Sequence, residues 1–297
     1  MRVIGWAIFW LTASSIPACD PWLFGYRVRT SPATCNIAMR MVGGNMKTAI
    51  LLISCLFVCS CLSPTEHHSA ETTNRLFLDC GNTNLTYLDL AGCTNLYNLD
   101  CSDNALTNLD LTGCTNLYAL RCYNNQLVNL DLTGLSGLHE LLCEDNPLAN
   151  LNLSGCTNLY SLSCGNTQLA NLDLTDCKNL KVLLYNNAQL TNLDLTGFVW
   201  IGCTNAHLTH LDLTRCTNLQ VLVCRDNYLT NLDLTGCTKL WYLECENNRL
   251  SGVLDISACK KMRDVTATSN MLKGIKVWNT NQLPAPFLYD AGVNVHQ

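Results

Sequence analysis

Cysteine is the residue with the greatest chemical potential in this chain, since 20 of its 297 residues are cysteines. Fifteen of them recur at regular intervals in two columns. The first column is Cys80, Cys101, Cys122, Cys143, Cys164, Cys203, Cys224 and Cys245, and the second is Cys93, Cys114, Cys156, Cys177, Cys216, Cys237 and Cys259. No C-x-x-C pair occurs among them, whereas a zinc site needs several converging thiolates. The spacing predicts buried free thiols that replace small apolar residues. Disulfides or a bound metal are the less favoured alternatives, and no cofactor is expected.

Aspartates form a third column. They are Asp89, Asp110, Asp131, Asp173, Asp194, Asp212, Asp233 and Asp255, with Asn152 in the one gap. Each lies between two inward-facing leucines, so its side chain points to solvent. We expect flanking threonines and asparagines to hydrogen-bond these carboxylates. A row of calcium sites is the alternative, but the column lacks the carbonyl-rich loop that this cation needs.

Catalytic motifs are missing from the sequence. No nucleophile elbow, phosphate-binding loop, zinc-protease helix or dinucleotide fingerprint occurs. His207 and His210 are close together, but no nucleophile or orienting acid accompanies them. The chain is therefore not expected to be an enzyme. Its 18 basic residues are outnumbered by 23 acidic ones, which argues against a nucleic-acid binder that works by bulk positive charge.

A repeat of 21 residues positions all of these columns. Leu-x-Leu or Leu-x-Cys recurs from Leu78 to Ile275 in steps that alternate between 10 and 11 residues, apart from one shortened step before Ile201. A fixed period in this range indicates a solenoid, whose units stack because each is too small to bury its own apolar side. The period-2 pattern predicts short strands, and Thr-Gly-Cys-Thr-Asn between them is typical of turns.

One unit runs from Leu117 to Leu127 as Leu-Tyr-Ala-Leu-Arg-Cys-Tyr-Asn-Asn-Gln-Leu, and Val-Asn-Leu-Asp-Leu-Thr-Gly follows it. This unit resembles the leucine-rich-repeat consensus L-x-x-L-x-L-x-x-N-x-L, and its second half resembles that consensus again. The nested form is similar to the bacterial leucine-rich repeats called IRREKO and, more loosely, to the internalins. The resemblance covers residues 76–277. It implies a mainly β, weakly curved solenoid of about ten coils with two parallel sheets of short strands.

The consensus asparagine occurs at Asn104, Asn125, Asn146, Asn227, Asn248 and Asn270. We expect it to form a buried ladder that satisfies backbone groups at the turns. Thr167, Ala188 and Ala206 replace it in three coils, where we expect local distortion. A deletion at 196–203 shortens one coil and is expected to tighten a turn and kink the solenoid.

The end of the sequence departs from the repeat. After Val277, Pro284 and Pro286 interrupt the pattern. Because proline cannot donate a ladder hydrogen bond, we predict that residues 278–297 form a C-terminal cap rather than a further strand.

The N-terminal segment differs in charge, since residues 1–61 carry a net +4 and the remainder −9. Met46-Lys47 precedes an apolar run that is typical of a secretory signal and too short to span a bilayer. Val58-Cys59-Ser60-Cys61 resembles the bacterial lipobox. The resemblance implies that residues 46–61 are a lipoprotein signal peptide and that Cys61 is lipidated, with an unlipidated signal as the alternative.

Two further segments flank this signal. Residues 1–45 contain a second signal-like run that ends at Cys19, and we interpret them as a mis-called upstream extension or as a first signal. Residues 62–75 are rich in polar residues and are interpreted as a tether.

Variation between coils is confined to the Leu-x-Cys half of each repeat, whereas the Leu-Asp-Leu half barely changes. Exposed aromatic residues mixed with charges on a rigid sheet suit partner binding. Drift on an unselected surface is the alternative. The predicted ligand-binding face comprises Tyr97, Tyr118, Arg121, Tyr123, His139, Glu144, Tyr160, Lys181, Arg225, Trp241, Glu244 and Glu246.

The sequence thus predicts a non-catalytic protein-recognition module on the bacterial cell envelope, held there by a lipid anchor. The partner is a protein of unknown identity, and carbohydrate binding by the same face is the alternative function. The chain is expected to be a monomer that contacts membrane only through its lipid and binds neither metal nor nucleic acid. Whether it faces the periplasm or the cell surface stays open.

Overall fold

The computed structural model describes residues 49–52, 75–188, 190, 193–281 and 283–297. All of them belong to one compact unit, Ile37–Gln297. The upstream extension, nearly all of the tether and the lipidation site at Cys61 lie outside the described residues, and they stay predictions.

A long sheet of parallel strands receives one strand from each coil. Among the described residues it has eleven strands: β2 (Leu76–Asp79), β4 (Leu96–Asp100), β5 (Ala119–Arg121), β7 (Glu140–Leu142), β9 (Ser161–Ser163), β10 (Val182–Leu184), β11 (Trp200–Gly202), β12 (Val221–Val223), β13 (Tyr242–Glu244), β15 (Asp264–Thr266) and β17 (Phe287–Leu288). Neighbouring strands pair with their central residues aligned, as Leu99, Leu120 and Leu141 show. The predicted solenoid of stacked short strands is confirmed.

The opposite side of the solenoid forms strands in only three places within the described ranges. β1 (Ala49–Leu52) pairs with β3 (Leu85–Asp89), β6 (Asn129–Asp131) pairs with β8 (Asn150–Asn152), and β14 (Ser251–Asp255), β16 (Met271–Lys276) and β18 (Asn294–His296) form a third group. The second sheet is thus interrupted rather than continuous. β1 lies in the predicted signal peptide, so its pairing describes the uncleaved chain. No helix of the described chain is long and apolar enough to cross a membrane.

Leucine and cysteine side chains fill the interior as the period-2 pattern predicts. Leu120 and Cys122 are fully buried beneath the long sheet, and Leu130 and Leu132 are buried on the opposite side of the solenoid. The turns between the sides close by backbone hydrogen bonds of the kind that the Thr-Gly-Cys-Thr-Asn motif favours. In one coil the Cys114 N–H donates to the Leu111 carbonyl at 2.9 Å.

The asparagine ladder links successive coils through buried hydrogen bonds. The Asn146 amide nitrogen donates to the carbonyls of Cys143 and Glu144 in its own coil and to that of Cys122 in the preceding coil, at 3.0 to 3.2 Å. Its side-chain oxygen accepts from the Leu127 N–H at 3.0 Å. The other five predicted positions repeat this arrangement: Asn104, Asn125, Asn227, Asn248 and Asn270. The predicted ladder is confirmed.

The three coils without a ladder asparagine keep the left-handed corner residue of their neighbours. Asn166, Asn187 and Asn205 have φ values of 53°, 56° and 52°, matching the 53° of Asn124 in a coil that has the ladder residue. Their side chains form a second, exposed chain of hydrogen bonds from coil to coil. Asparagine tolerates this left-handed corner well. The expected local distortion is nevertheless present beside two of the three positions. The Ala188 N–H closes a turn onto the Tyr185 carbonyl at 3.2 Å, and His207, directly after Ala206, has a positive φ of 56°.

The shortened coil also keeps its register. Val182, Leu183 and Leu184 pair directly with Trp200, Ile201 and Gly202 although the step is three residues shorter. Phe198 is buried at the position where other coils have a turn cysteine, such as Cys216 in the next coil. The strand pairing therefore shows no interruption at the deletion.

The residues after Val277 form a further turn of the solenoid. β17 pairs with β15, and β18 pairs with β16, both in parallel. The prediction that the two prolines prevent another strand is therefore wrong. Pro286 lies immediately before β17 and uses its carbonyl to accept from the Val265 N–H at 3.1 Å, so its missing N–H is not needed there.

Fourteen of the fifteen repeat cysteines within the described residues are free and buried, as predicted. Cys93 is the exception, since it is disulfide-bonded. Burial raises the pKa of the free thiols, for example to about 12 for Cys164 and to about 11 for Cys177. These thiols are protonated at neutral pH and are poor nucleophiles.

The asparagine ladder predicts a large stability loss for Asn146→Ala. The substitution leaves buried carbonyls and the Leu127 N–H without their partner, and each unsatisfied buried group costs roughly 1–3 kcal/mol. We expect the free energy of unfolding in urea to fall by about 3 kcal/mol. Asn150→Ala is the control, because Asn150 is exposed and bonds only to Asn129 at its surface; its effect should stay within about 0.5 kcal/mol. Equal losses in the two variants would contradict a structural role for the ladder.

The thiol columns predict protection from alkylation in the folded state. Iodoacetamide at neutral pH should leave the peptides that contain Cys122, Cys143 and Cys164 unmodified, and it should modify them fully after unfolding in guanidinium, because burial both shields these thiols and raises their pKa. Peptide mass mapping measures this. Native disulfides between coils would appear as linked peptides before reduction and would overturn the assignment.

Candidate functional site

The predicted binding residues lie along the outer face of the long sheet, by which we mean the outward side chains of its strands and of the residues immediately flanking them. Five of them precede their strands: Tyr118, His139, Tyr160, Lys181 and Trp241. Three are within strands, Tyr97, Arg121 and Glu244, and four follow them, Tyr123, Glu144, Arg225 and Glu246. The structure brings them together in two groups. About four strand spacings of roughly 4.8 Å each separate Tyr160 from Trp241.

The first group contains a stack of aromatic rings. The ring centroids of Tyr97 and Tyr118 are 5.0 Å apart, those of Tyr118 and His139 are 4.9 Å apart, and those of His139 and Tyr160 are 5.1 Å apart. The planes are nearly parallel, at 5° to 10°, because identical positions in successive coils are separated by one strand spacing. The Arg75 guanidinium lies 4.0 Å from the centroid of the Tyr97 ring at one end.

A shallow groove of about 410 Å³ follows this stack. It is lined by Tyr118, Gly137, His139, Asn158, Tyr160, Asn179 and Lys181. The groove thus combines ring edges, turn amides and one lysine, a mixture that can accept both apolar and polar groups of a partner.

Charges next to the stack are balanced by close pairs. Arg121 donates to Glu140 on the neighbouring strand at 2.9 Å. Ser102 donates its hydroxyl to Asp100 at 2.5 Å, and Tyr123 shares a hydrogen bond with Ser102. Burial raises the pKa of Tyr123, so the phenol stays protonated and available as a donor.

Glu144 is mostly buried despite its outward position. Burial raises its pKa, and a hydrogen bond with Ser163 offsets part of that effect. Its Oε2 atom has no hydrogen-bond partner among the described residues. One oxygen of this carboxylate is therefore a buried acceptor without a donor among the described residues.

The second group is acidic, and its ion-pair distances are longer than that of Arg121 and Glu140. Glu244 and Glu246 each lie 3.7 Å from the single guanidinium of Arg225. The Tyr242 hydroxyl donates to Glu244, and the Tyr242 ring meets the Trp241 ring edge-on at 5.7 Å. Burial raises the pKa of Glu246, and the charge of Glu244 raises it further.

One column of this face was missed from sequence, the residue directly before each central leucine. It contributes Glu140, Trp200, Tyr242 and Asp264. Period-2 alternation places this residue outward, just as it does the residue after the leucine. The alternation of the repeat therefore also predicts that these residues are outward.

An apolar strip separates the two groups. Val182, Leu184, Trp200, Val221 and Val223 present their side chains from three neighbouring strands. Gly202 has no side chain here, and a Cβ atom built on it would lie 2.7 Å from a methyl group of Leu184. The Leu184 side chain thus lies across the glycine.

The opposite side carries a repeated column of polar side chains, together with exposed apolar ones such as Val253 and Met271 near its C-terminal end. The carboxylates of Asp110 and Asp131 each accept from the N–H two residues ahead, at 2.9 and 3.0 Å, and the Thr133 hydroxyl also donates to Asp131. These hydrogen bonds lower the pKa of both carboxyl groups. The predicted role of the threonines is confirmed. No group of three or more metal-ligating side chains suited to an ion occurs in the part of the chain that the structure describes.

These coils, with their consensus asparagines and parallel short strands, define a leucine-rich-repeat solenoid. No protein-family profile matches the chain, and no curated protein does. Solved structures do match it. The chain is similar to the functional domain of InlJ from Listeria monocytogenes, which includes a cysteine ladder, with 30% identity and a TM-score of 0.61. The similarity covers 64% of this chain and 43% of that one.

Two other similar structures share the fold at lower identity. The Leptospira interrogans leucine-rich-repeat protein LIC12759 is 22% identical with a TM-score of 0.61, over 68% of this chain and 56% of that one. The internalin inlF of Listeria monocytogenes is 19% identical with a TM-score of 0.56, over 72% and 74% of the two chains. This chain therefore spans less than two thirds of the length of the first two structures.

Proposed function

We propose that this chain is a non-catalytic protein-recognition module that binds a protein partner through the outer face of its long sheet. One observation carries the proposal. The side chains of this face differ from coil to coil and gather as stacked aromatic rings, an apolar strip and charged groups, whereas the opposite side repeats an aspartate column in nearly every coil. Aromatic residues and arginine are enriched where proteins bind each other.

The rigid core supports such a role. Buried leucine and asparagine columns fix the outward residues at one strand spacing, so the face is preorganised and little entropy is lost when a partner binds. The similarity to the functional domain of InlJ, with its cysteine ladder, is consistent with a module built in the same way.

Glycan binding has less support than protein binding. Sugars pack against the flat faces of aromatic rings, but the faces of Tyr118 and His139 are covered by the neighbouring rings at about 5 Å. Only the ring edges remain for a ligand there. Catalysis has no assembled nucleophile and base on this face, since His139 lies between two tyrosines.

We further propose that the module is displayed on the bacterial cell envelope by a lipid on Cys61. The lipobox-like Val58 to Cys61 and the apolar run before it support this proposal. The mature chain is then a monomer that contacts the membrane only through its lipid.

The recognition proposal predicts opposite effects on the two sides of the solenoid. The partner is first captured from envelope extract by crosslinking, and a glycan array follows if no protein is found. Alanine at Tyr118, Tyr123, Tyr160 or Trp241 should weaken binding by about 2 kcal/mol or more if the residue is an interface anchor. Alanine at Asp110, Asp131 or Asp233 should change binding by only a few tenths of a kcal/mol. Biolayer interferometry measures both sets, and loss of binding in the aspartate set alone would show that the opposite side is the functional one.

The anchor proposal predicts the location of a single variant. Cys61→Ser should move the protein from the membrane fraction to the soluble fraction, because the thiol that carries the lipid is gone. Fractionation with metabolic labelling by a clickable fatty acid measures this, and Cys59→Ser is the matched control. A Cys61→Ser protein that still carries labelled lipid would disprove the assignment.

A further inference from the structure

We propose that the acidic group at the C-terminal end of the outer face, Glu244, Glu246 and Asp264, binds an arginine or lysine side chain of the partner, and that the adjacent apolar strip binds an apolar residue next to it. The inference rests on the proposed function, because it assumes that a protein binds this face, and it names the chemistry that the partner must carry.

Charge is out of balance at this end of the sheet. Three carboxylates from two neighbouring strands and their flanks have one guanidinium within ion-pair distance among the described residues, that of Arg225, and its distance of 3.7 Å to both glutamates is longer than a hydrogen bond. Arg263, directly before Asp264, is exposed and forms no such pair with the described residues. At the other end of the sheet Arg121 and Glu140 form one pair at 2.9 Å. The same sheet therefore contains a close ion pair at one end and, at the other, one guanidinium shared at longer distance by two glutamates.

The two glutamates also have unmet hydrogen-bonding capacity. Glu244 is only 8% exposed, yet its Oε2 atom has no hydrogen-bond donor among the described residues, and neither does Oε2 of Glu246. Buried acceptors are rarely left without a donor in folded proteins. Both Oε2 atoms are buried, and the Nε atom of Arg225 beside them also lacks a partner among the described residues. A guanidinium offers five donors and an ammonium three, so a cationic side chain that enters beside Arg225 supplies donors to these carboxylates when they turn toward it.

Asp264 gives the incoming cation an accessible contact. It is half-buried, and no described residue forms an ion pair with it. Partial burial and the nearby charge of Glu244 both raise the pKa of Asp264, as expected for a carboxyl group with a like charge beside it and no cation. A cation bound between Asp264 and Glu246 relieves this repulsion.

Aromatic and apolar side chains beside the acidic group favour a partner segment in which the basic residue has an apolar neighbour. Trp241 and Tyr242 present aromatic rings beside the carboxylates, and such rings attract cations. Val221, Val223 and Trp200 lie on the neighbouring strands and offer an apolar surface. An anionic partner such as a phosphate backbone is disfavoured by the same carboxylates.

Selection of peptides tests the proposal before the natural partner is identified. A phage library of random dodecapeptides is panned on the wild-type chain and on the double variant Glu246→Gln/Asp264→Asn. The matched control is Asp131→Asn/Asp233→Asn, which makes the same change in net charge on the opposite side. Thermal melting by circular dichroism verifies that all three proteins fold.

We expect peptides selected on the wild-type chain to be enriched in arginine or lysine next to an apolar residue. A synthetic peptide from this set should bind at least about tenfold more weakly to the Glu246→Gln/Asp264→Asn variant and with unchanged affinity to the control. Replacing its arginine by citrulline, which keeps the shape and removes the charge, should cause a similar loss.

Four outcomes overturn the inference. Peptides that depend on Trp241 or Tyr160 but show no basic preference leave the proposed function standing and remove the cationic site. Basic peptides that bind both double variants equally show attraction by net charge alone. Calcium binding in calorimetry that is lost with Asp264→Asn, without any peptide preference, makes the acidic group a metal site instead. If no peptide is enriched over the control surface, both the inference and the proposed function fail.

Discussion

The hydrogen bond between a buried asparagine and the backbone of two successive coils is the interaction on which the rest of this structure depends. Each coil closes only about twenty residues and has no core of its own, so its turn carbonyls would be buried without partners. Asn146 satisfies three of them and accepts one N–H, and it thereby joins one coil to the next. Stability is then a property of neighbouring coils in contact, as in repeat proteins generally.

The leucine core continues where Thr167, Ala188 and Ala206 replace the asparagine. Together, the core and the asparagine bonds align equivalent residues of successive coils along the solenoid. Once the central leucines are in register, every other position of the repeat forms a column with a spacing of about 4.8 Å. Cysteines in such columns are buried and protonated, and tyrosines in such columns stack. Repeated aspartates would repel one another, but Thr133 and the backbone beside Asp131 hold the carboxylate by hydrogen bonds. The chemistry of each column follows from its position relative to the core.

The interior was predictable from sequence because the alternation of leucine fixes which side chains face inward. The asparagine ladder followed from its consensus place for the same reason. The interrupted second side was not predictable, since the leucine pattern does not determine whether the backbones of successive coils approach closely enough to pair. The strand of Phe287 and Leu288 was not predicted, because proline lacks the N–H that a strand residue donates. Pro286 takes part in the strand pairing only through its carbonyl, which accepts a hydrogen bond. The disulfide of Cys93 was not predictable either, because Cys93 has the same place in the repeat as the free Cys114.

The candidate site was predictable only in part. The outward positions and their variation could be read from the repeat, but ion pairs form diagonally between strands, and their distances depend on side-chain conformation. Arg121 and Glu140 form an ion pair at 2.9 Å, whereas the Arg225 guanidinium lies 3.7 Å from each of two glutamates. Nothing in the residue types distinguishes the two arrangements.

The surplus of carboxylates near Glu244 is tolerated because the core does not depend on it. Burying a charge without a close partner is costly, and in a small domain such a cost would threaten the fold. Here the stabilising columns of leucine and asparagine lie on the inner side of the same strands, and they continue unbroken through Leu243 and Asn248. The outer residues can therefore vary without loss of the solenoid, and an unfavourable arrangement of charge that persists on this face is more readily explained by what it binds than by how the chain folds.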